Sequence, residues 1–409
     1  MSLRQDCDVI VTESIRRVLP DEAVRRALQD KRFSTGRLIL VSAGKAAWTM
    51  AHAAYEVLGT RIDDGIVITK HGHSQGSIGS LTICEAGHPV PDEYSFFSTA
   101  QALELTRGLN AEDTVLFLLS GGGSALFELP MIVPEELQDI TSQLLACGTD
   151  IVEINTIRKR LSYVKGGRFA AHCAPAKVEA IVLSDIIGDP LDMIASGPAY
   201  PDSSTCADAM EIAEKYQLSL SLRAKSCLQT ETPKTLSNVT TSVTGSVREL
   251  CRAAADVCRQ LGYNPTVLTD SLSCEACEAG RFLGAIAGTH SADGKRAYIA
   301  GGETVVHLTG DGKGGRNQEL ALAAAEHIAG LANVAVFSVG SDGTDGPTDA
   351  AGGYVDGATV TKLTAQGVAI DEVLRRNDAY HALQLTDGLI ITGATGTNVN
   401  DVSVVLIDA

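Results

Sequence analysis

Two short loops in the sequence carry residue types that suit the binding of an anion. In the first, residues 42–45 (SAGK), Gly44 and Lys45 stand at the start of a predicted helix. A cation at a helix N-terminus opposes the helix dipole by about 0.3–1 kcal/mol, unless an anion binds beside it. The spacing differs from that of a P-loop. We expect Lys45 to face a phosphate group, and a solvent-exposed lysine is the alternative.

The second loop, SGGGS at residues 120–124, follows a predicted strand at 114–119. Successive glycines let backbone N–H groups converge into an anion-binding nest, and the serine hydroxyls add donors. A flexible turn is the alternative. The predicted phosphate-binding residues here are Ser120, Gly121, Gly122, Gly123 and Ser124.

A third loop, GDGKGG at residues 310–315, is a literal GxGxxG sequence before a predicted helix. The match supports a rival function, an NAD(P)-dependent reductase, although Asp311 would set a carboxylate beside the pyrophosphate. Arg316 follows directly, and its guanidinium can form two hydrogen bonds to phosphoryl oxygens. For phosphate binding in this loop we predict Gly310, Gly312, Lys313 and Gly315.

Charged residues cluster in three other segments. Residues 155–168 hold five basic side chains and no acid, which is either a solvated face or a patch that guides an anionic substrate. Acidic loops at 184–189 and 341–349 follow predicted strands and suit Mg²⁺, with simple Asp-Gly turns as the alternative. Asp189 is the leading candidate for a magnesium ligand or general base, and Asp342 is the next.

Alternating strands and helices position these loops, as is typical of βα units with a parallel sheet. The predicted strands are 37–41, 65–69, 114–119, 178–183, 265–268, 297–299, 304–308, 334–339, 388–392 and 402–407. The predicted helices include 45–58, 95–105, 134–146, 247–261, 275–290 and 317–328. Residues 229–245 contain eight Ser or Thr and are predicted to connect two α/β domains, 1–235 and 236–409. Ligands should bind in the cleft between these domains, at loops after strand carboxyl ends.

Composition excludes several classes of protein. The 409 residues are 44% hydrophobic, which is enough for a large core and argues against disorder. A net charge of −17 disfavours binding to nucleic acid and to an anionic membrane surface. No signal peptide or membrane span is visible, and ten scattered cysteines fit a reduced, cytoplasmic protein. We interpret the CxxC sequence at 274–277 as incidental.

Eight motifs in order give the chain a specific resemblance. They are SAGKAA (42–47), GHPVPDE (87–93), SGGGSALF (120–127), NTIRKRLSYVKGG (155–167), SDIIGDPLDMIASGPAYPD (184–202), GGETVVHLTGDGKGGRNQE (301–319), SDGTDGPTDAAGG (341–353) and GTNVNDV (396–402). The chain resembles the glycerate 2-kinase family with a MOFRL C-terminal domain, whose members often carry an older hydroxypyruvate reductase label. Arg160 departs from the expected histidine, which would alter substrate contacts.

The resemblance implies a Rossmann-like N-terminal domain and a smaller C-terminal α/β domain with a mixed sheet. It implies ATP-dependent phosphorylation of D-glycerate at the 2-hydroxyl, with Mg²⁺, and Lys45 and Arg316 as the catalytic lysine and arginine. Asp189 is a further catalytic candidate. For the substrate we predict Arg158 or Lys165 as the carboxylate anchor, and His88 as either a site residue or a structural one.

Two other functions stay open at this point. An NAD(P)H-dependent hydroxypyruvate reductase would oxidise NADPH, whereas a non-catalytic sensor would bind its ligand without turnover. The expected partners are small molecules, D-glycerate and ATP, and neither nucleic acid nor a membrane. A homodimer is left open as the assembly.

Overall fold

The chain forms two compact units in the computed structural model, which describes residues 2–184, 186–188 and 190–408. The N-terminal unit comprises residues 23–184 and 190–244. The C-terminal unit comprises residues 245–408 together with 186–188 and 2–22 from earlier in the chain. The predicted boundary at 235/236 and the predicted cleft site stay predictions for this protein.

The elements run in the following order along the chain. The helices are α1 Leu3–Arg17, α2 Pro20–Leu28, α3 Ala47–Leu58, α4 Glu93–Leu105, α5 Gly123–Leu126, α6 Pro134–Ala146, α7 Ile151–Arg160, α8 Arg168–Cys173, α9 Cys206–Lys215, α10 Leu222–Leu228, α11 Val247–Gln260, α12 Ala276–Thr289, α13 Arg316–Ala324, α14 Thr359–Ala365, α15 Ile370–Arg375 and α16 Ala379–Gln384. The strands are β1 Leu38–Ala43, β2 Asp64–Lys70, β3 Thr82–Ala86, β4 Thr114–Leu119, β5 Lys177–Leu183, β6 Val239–Gly245, β7 Asn264–Leu272, β8 Arg296–Gly302, β9 Val334–Gly340, β10 Gly352–Asp356, β11 Leu389–Ile390 and β12 Asp401–Ile407.

The sheet of the N-terminal unit has the strand order β3-β2-β1-β4-β5-β6, and the pairs from β3 to β5 are parallel. Strands β1 and β4 are buried at every residue, as expected for apolar strands covered by helices on both faces. The order reverses between β1 and β4. Loops at the carboxyl ends of these two strands flank the switch point, where doubly wound proteins bind ligands.

The sheet of the C-terminal unit is mixed, in the order β11-β10-β9-β12-β8-β7. Strand β12 pairs antiparallel with both β8 and β9, whereas β7 and β8 are parallel. Helix α1 belongs to this unit: Cys7, Ile10 and Val11 are buried in one apolar cluster with residues of α11 such as Leu250. The Tyr263 hydroxyl donates to Asp6 Oδ2 at 2.6 Å, which further fixes α1.

The predicted two-sheet α/β architecture is confirmed, with three differences in detail. The segment 229–245, predicted as a connection, ends in strand β6 of the first sheet. The predicted strand at 304–308 is instead a loop with one isolated bridge from Val305 to Glu275. Strands β3 and β10 were not predicted, because each has only five residues and mixes polar residues or glycine with the apolar ones. No helix in the described ranges is long and apolar enough to cross a membrane.

Candidate active site

The glycine loop after β4 forms an open backbone nest at the switch point. Gly122 has φ of +85°, and a Cβ atom there would lie 3.0 Å from His88 Cδ2 and 3.1 Å from Lys45 Cγ. In the part of the chain that the structure describes, the N–H groups of Gly121 and Gly122 donate to no protein acceptor. The loop therefore offers two free donors with Lys45 and His88 beside them, as an anion site requires.

Ser120 and Gly44 hold the two loops together rather than face a ligand. The Ser120 Oγ atom accepts the N–H of Ala46 at 3.1 Å, and Ser120 is almost fully buried. A Cβ atom at Gly44 would lie only 2.2 Å from Ser120 Oγ, so a larger residue cannot fit. The N–H of Lys45 donates to the carbonyl of Gly121 at 2.8 Å. These contacts fix the lysine main chain against the nest.

Arg158 contacts the main chain of the same loop at Ser124. Its Nη2 atom donates to the Ser124 carbonyl at 3.0 Å and lies 3.9 Å from Glu128 Oε2. The side chain is only 16% exposed. Because the guanidinium is engaged with the main chain, it supports the shape of the loop, and its use as a carboxylate anchor stays a prediction.

The structure does not bring Lys165 to the site. Its ammonium group is completely buried, pairs with Glu128 Oε2 at 2.7 Å and donates to the Phe127 carbonyl at 3.1 Å. Burial, aided by nearby Arg158, lowers the pKa of Lys165 to about 8, although Glu128 opposes this shift. A buried lysine with these partners cannot anchor the substrate carboxylate.

Two more basic residues of the segment, Lys159 and Arg160, are also internal. With Lys165 they cannot form the predicted substrate-guiding patch, while Arg168 is partly exposed. Lys159 pairs with Asp202 at 3.1 Å and is 2% exposed. Arg160 is fully buried, with Nη1 3.5 Å from Asp202 and Nη2 donating to the Ser204 carbonyl at 2.8 Å. The departure from histidine at position 160 therefore changes an internal ion cluster and no substrate contact.

We predict that Lys165→Met lowers the free energy of unfolding by about 3–5 kcal/mol, because the buried Glu128 carboxylate loses its partner at 2.7 Å and, among the described residues, keeps only Arg158 at 3.9 Å. The double variant Lys165→Met with Glu128→Leu should recover most of this loss, since a buried apolar pair of similar size replaces the ion pair. Urea denaturation measures both. If the double variant is as stable as the wild type but inactive, Lys165 has a role in the reaction after all.

In the C-terminal unit, Arg316 is the first residue of α13 and is held by two carboxylates. Its Nε donates to Asp401 Oδ2 at 2.5 Å and its Nη2 to Asp401 Oδ1 at 3.0 Å, while Nη1 lies 3.3 Å from Glu303. These bonds raise the pKa of the guanidinium, and burial raises the pKa of the Asp401 carboxyl. The side chain of Arg316 remains 33% exposed, so its outer edge can still donate to a ligand.

The N-terminus of α13 is capped by Asp345. Its carboxylate accepts the backbone N–H of Asn317 at 3.1 Å and of Gln318 at 2.9 Å. Burial raises the pKa of Asp345 to about 6 even though these bonds oppose the shift. A carboxylate is favourable at a helix N-terminus, and this one fixes the direction in which Arg316 leaves the helix.

The GxGxxG loop uses its glycines for close packing. A Cβ atom at Gly310 would lie 2.4 Å from Arg376 Cα, and one at Gly312 would lie 2.5 Å from the Arg376 carbonyl. The N–H of Gly310 donates to Asn377 Oδ1 at 2.9 Å, and the N–H of Gly312 to the Arg376 carbonyl at 2.8 Å. These amides are therefore taken, and the structure does not support Gly310 and Gly312 as phosphate donors.

The two remaining residues predicted in this loop are Lys313 and Gly315, and within the described chain only the first has its N–H occupied. The N–H of Lys313 donates to Asp378 Oδ1 at 2.9 Å, and its ammonium lies 4.0 Å from the centre of the Tyr380 ring. A Cβ atom at Gly315 would lie 2.3 Å from Asp345 Cγ, so this glycine lets the cap approach. In this loop the Lys313 ammonium and the Gly315 N–H, which donates to no acceptor in the described part of the chain, keep the predicted phosphate role as a prediction.

The described residues contain no group of three or more His, Cys, Asp or Glu side chains placed to hold a metal ion. Asp342 accepts the N–H of Thr344 through Oδ1 at 2.9 Å and is partly exposed. A Cβ atom at Gly340 would lie 3.4 Å from both Asp342 Oδ1 and Asp401 Oδ1, so these two carboxylates are near neighbours. Asp189 lies outside the described residues. One available carboxylate fits a Mg²⁺ ion that is held mainly by substrate phosphates.

Several residues at these loops were missed from the sequence. Asp401 and Glu303 hold Arg316, and Asn377 organises the loop before it, yet none was singled out individually. The motifs GETV and NVND contain Glu303 and Asp401, so their polar residues were the available signal. Ser196, which contacts the glycine loop, and its hydrogen-bond partner Asn155 lie in quoted motifs as well.

Together, the doubly wound sheet, the nest at its switch point and the adjacent lysine are features shared by α/β proteins that bind anionic ligands. Two family models match the chain: "Domain of unknown function (DUF4147)" over residues 6–229 and the MOFRL family over residues 296–401. A D-glycerate 2-kinase of Thermotoga maritima is 53% identical over 99% of both chains. The chain belongs to the glycerate 2-kinase family with a MOFRL domain.

Further comparisons agree with this assignment. A crystal structure of glycerate kinase from Thermotoga maritima superposes with a TM-score of 0.94 at 53% identity and covers 99% of each chain. A relative from Agrobacterium vitis, 37% identical over 91% of this chain and 100% of its own, carries a provisional hydroxypyruvate reductase name. Both names were expected from the resemblance of the sequence to this family.

Proposed function

We propose that this protein transfers the γ-phosphoryl group of ATP to the 2-hydroxyl of D-glycerate, giving 2-phosphoglycerate and ADP. The observation that carries the proposal is the 53% identity to a D-glycerate 2-kinase over 99% of both chains. The nest at the switch point supports it, because phosphoryl transfer depends mainly on positioning and on neutralising charge.

In this proposal Lys45 and Arg316 neutralise the charge that develops on the transferred group. The N–H groups of Gly121 and Gly122 bind phosphate or carboxylate oxygens, since they have no acceptor within the described chain. Asp401 keeps the guanidinium of Arg316 in one orientation and leaves its outer N–H groups to the phosphoryl oxygens. His88 beside the nest is a substrate residue in this scheme.

We further propose that Asp342 contributes a carboxylate to Mg²⁺ bound to the nucleotide. When bound, Mg²⁺ supplies charge neutralisation at phosphate oxygens. We also propose Asp189 as a magnesium ligand or general base, and the only support for this role is the motif that contains it.

A cytoplasmic location and a homodimer are also proposals. All ten cysteines lie in the described part of the chain, and none forms a disulfide, which favours a reducing compartment. Light scattering of the purified protein would decide between monomer and dimer.

A coupled assay tests the function directly. The protein is given ATP, Mg²⁺ and D-glycerate, followed by an enolase that accepts only 2-phosphoglycerate. We expect ADP in an amount equal to the sum of 2-phosphoglycerate and phosphoenolpyruvate, with all three dependent on glycerate. Oxidation of NADPH with hydroxypyruvate, without ADP formation, would favour the reductase instead. The packed amides of the GxGxxG loop speak against that alternative, because a dinucleotide site needs them free.

A further inference from the structure

Ser124, the last residue of the glycine loop, is held by a directed chain of hydrogen bonds. The buried Ser196 hydroxyl donates to Asn155 Oδ1 at 2.8 Å, and Ser124 Oγ lies 3.2 Å from Ser196 Oγ. A hydroxyl has a single proton. Because Ser196 gives its proton to Asn155, the proton between the two serines comes from Ser124.

The direction of this chain decides what Ser124 can bind. With its proton committed to Ser196, the partly exposed Ser124 Oγ presents only lone pairs to a ligand. Phosphate oxygens at neutral pH also present lone pairs, so the two would repel each other. The matching ligand group is a donor such as a hydroxyl. Ser124 therefore differs from Gly121 and Gly122, whose N–H groups suit an anion.

The turn that carries Ser196 is strained and buried against the same loop. Ala195, Ser196 and Gly197 have successive φ values of +50°, +61° and +64°, in the left-handed region that favours glycine. A Cβ atom at Gly123 would lie 2.7 Å from Ala195 Cβ, so the turn packs directly under the nest. Backbone strain of this kind concentrates at functional sites. A glycine would adopt this conformation more easily at position 196, but it would lack the hydroxyl that contacts Ser124.

We propose that Ser124 is a specificity-determining residue that accepts a hydrogen bond from a hydroxyl of the acceptor substrate, with Ser196 and Asn155 as positioning residues that fix its proton. The proposal rests on the proposed function, since glycerate carries two hydroxyl groups next to a carboxylate. The nest amides then bind an anionic group while Ser124 binds the neighbouring hydroxyl. Arg158 donates to the Ser124 carbonyl and so fixes Ser124 relative to the nest amides.

Kinetics with Ser124→Ala test the proposal. We expect kcat/KM for D-glycerate to fall at least tenfold, while the KM for ATP changes less than twofold. D-lactate, which lacks the 3-hydroxyl, serves as an alternative acceptor or competitive inhibitor. A smaller loss with D-lactate than with glycerate assigns Ser124 to the 3-hydroxyl, and an equal loss assigns it to the 2-hydroxyl. An unchanged kcat/KM for glycerate would overturn the proposal.

Nucleotide analogues show whether Ser124 contacts the acceptor substrate or ATP, because the ribose of ATP also carries hydroxyls. Comparison of ATP with 2′-deoxy-ATP and 3′-deoxy-ATP should give the same ratio in the wild type and in Ser124→Ala. A ratio that changes with the mutation places Ser124 on the ribose and contradicts the proposal. Failure of the wild type to phosphorylate glycerate at all would instead refute the proposed function.

Two variants distinguish proton orientation from a structural role. Ser196→Gly relieves the left-handed strain and so should unfold at the same or a higher temperature, yet lower kcat/KM for glycerate about fivefold or more. Asn155→Asp keeps an acceptor for the Ser196 proton and should retain glycerate turnover, whereas Asn155→Leu should behave like Ser196→Gly. Full activity in Ser196→Gly, or equal losses in Asn155→Asp and Asn155→Leu, would overturn the assigned direction.

Discussion

Changing Arg316 to lysine is expected to lower kcat for D-glycerate about 10²–10³-fold, the usual effect of losing one preorganised group that stabilises developing charge. Lysine keeps the positive charge but cannot donate to Asp401 and to phosphoryl oxygens at the same time in a planar, two-pronged geometry. The KM for glycerate should change much less than kcat, because the lost contact forms in the transition state. Steady-state kinetics in the enolase-coupled assay measure both constants.

Arg376→Lys is the matched control for this prediction. Arg376 lies beside the same loop, but its side chain is 57% exposed and pairs with the exposed Asp311 at 3.5 Å. An exposed pair of this kind contributes little to stability, so its replacement should leave turnover unchanged. Thermal unfolding of Arg316→Lys checks that the fold survives. A folded Arg316→Lys variant with wild-type kcat would remove Arg316 from the reaction.

Replacing Lys45 with methionine should likewise reduce kcat/KM by about 10²–10³-fold. Methionine has a similar length and packs where the aliphatic part of Lys45 lies against the nest, so only the ammonium charge is lost. The Lys45 main chain keeps its bond to the Gly121 carbonyl in this variant. The loss should therefore report on charge neutralisation alone and appear without a drop in unfolding temperature.

Lys177→Met provides the comparison for Lys45. Lys177 is exposed at the amino end of β5, the opposite end of the parallel sheet from the nest. Its replacement removes one positive charge from the same unit without touching the loops at the strand carboxyl ends. Equal kinetic effects of the two variants would show that overall charge, and not the position of Lys45, controls the reaction.

Much of the N-terminal site could be predicted because local sequence determines it. Strands β1 and β4 are runs of apolar residues that end abruptly in SAGK and SGGGS, so both loops had to follow buried strands. Carboxyl ends of neighbouring parallel strands meet at one edge, which brings Lys45 to Gly122 once the strands pair. The identity of the partner strand was the part that sequence alone left open.

The basic segment 155–168 was harder to interpret because its partners are distant in sequence. Glu128 and Asp202 neutralise Lys165 and Lys159, and neither acid is near its lysine along the chain. Charge clusters are usually solvated, so burial of three cations could be inferred only from the folded contacts. The same is true of Gly310 and Gly312, whose close neighbour Arg376 follows them after several intervening elements.

Helix α1 gives the C-terminal unit a particular order of assembly. It is synthesised before α11, yet the cluster that buries Cys7, Ile10 and Val11 includes residues of α11, which lies beyond the whole N-terminal unit. At about 5–20 residues per second, roughly ten to fifty seconds of synthesis separate the two. During that interval α1 carries an uncovered apolar face. The cluster that buries α1 can therefore form only after the whole N-terminal unit has been synthesised.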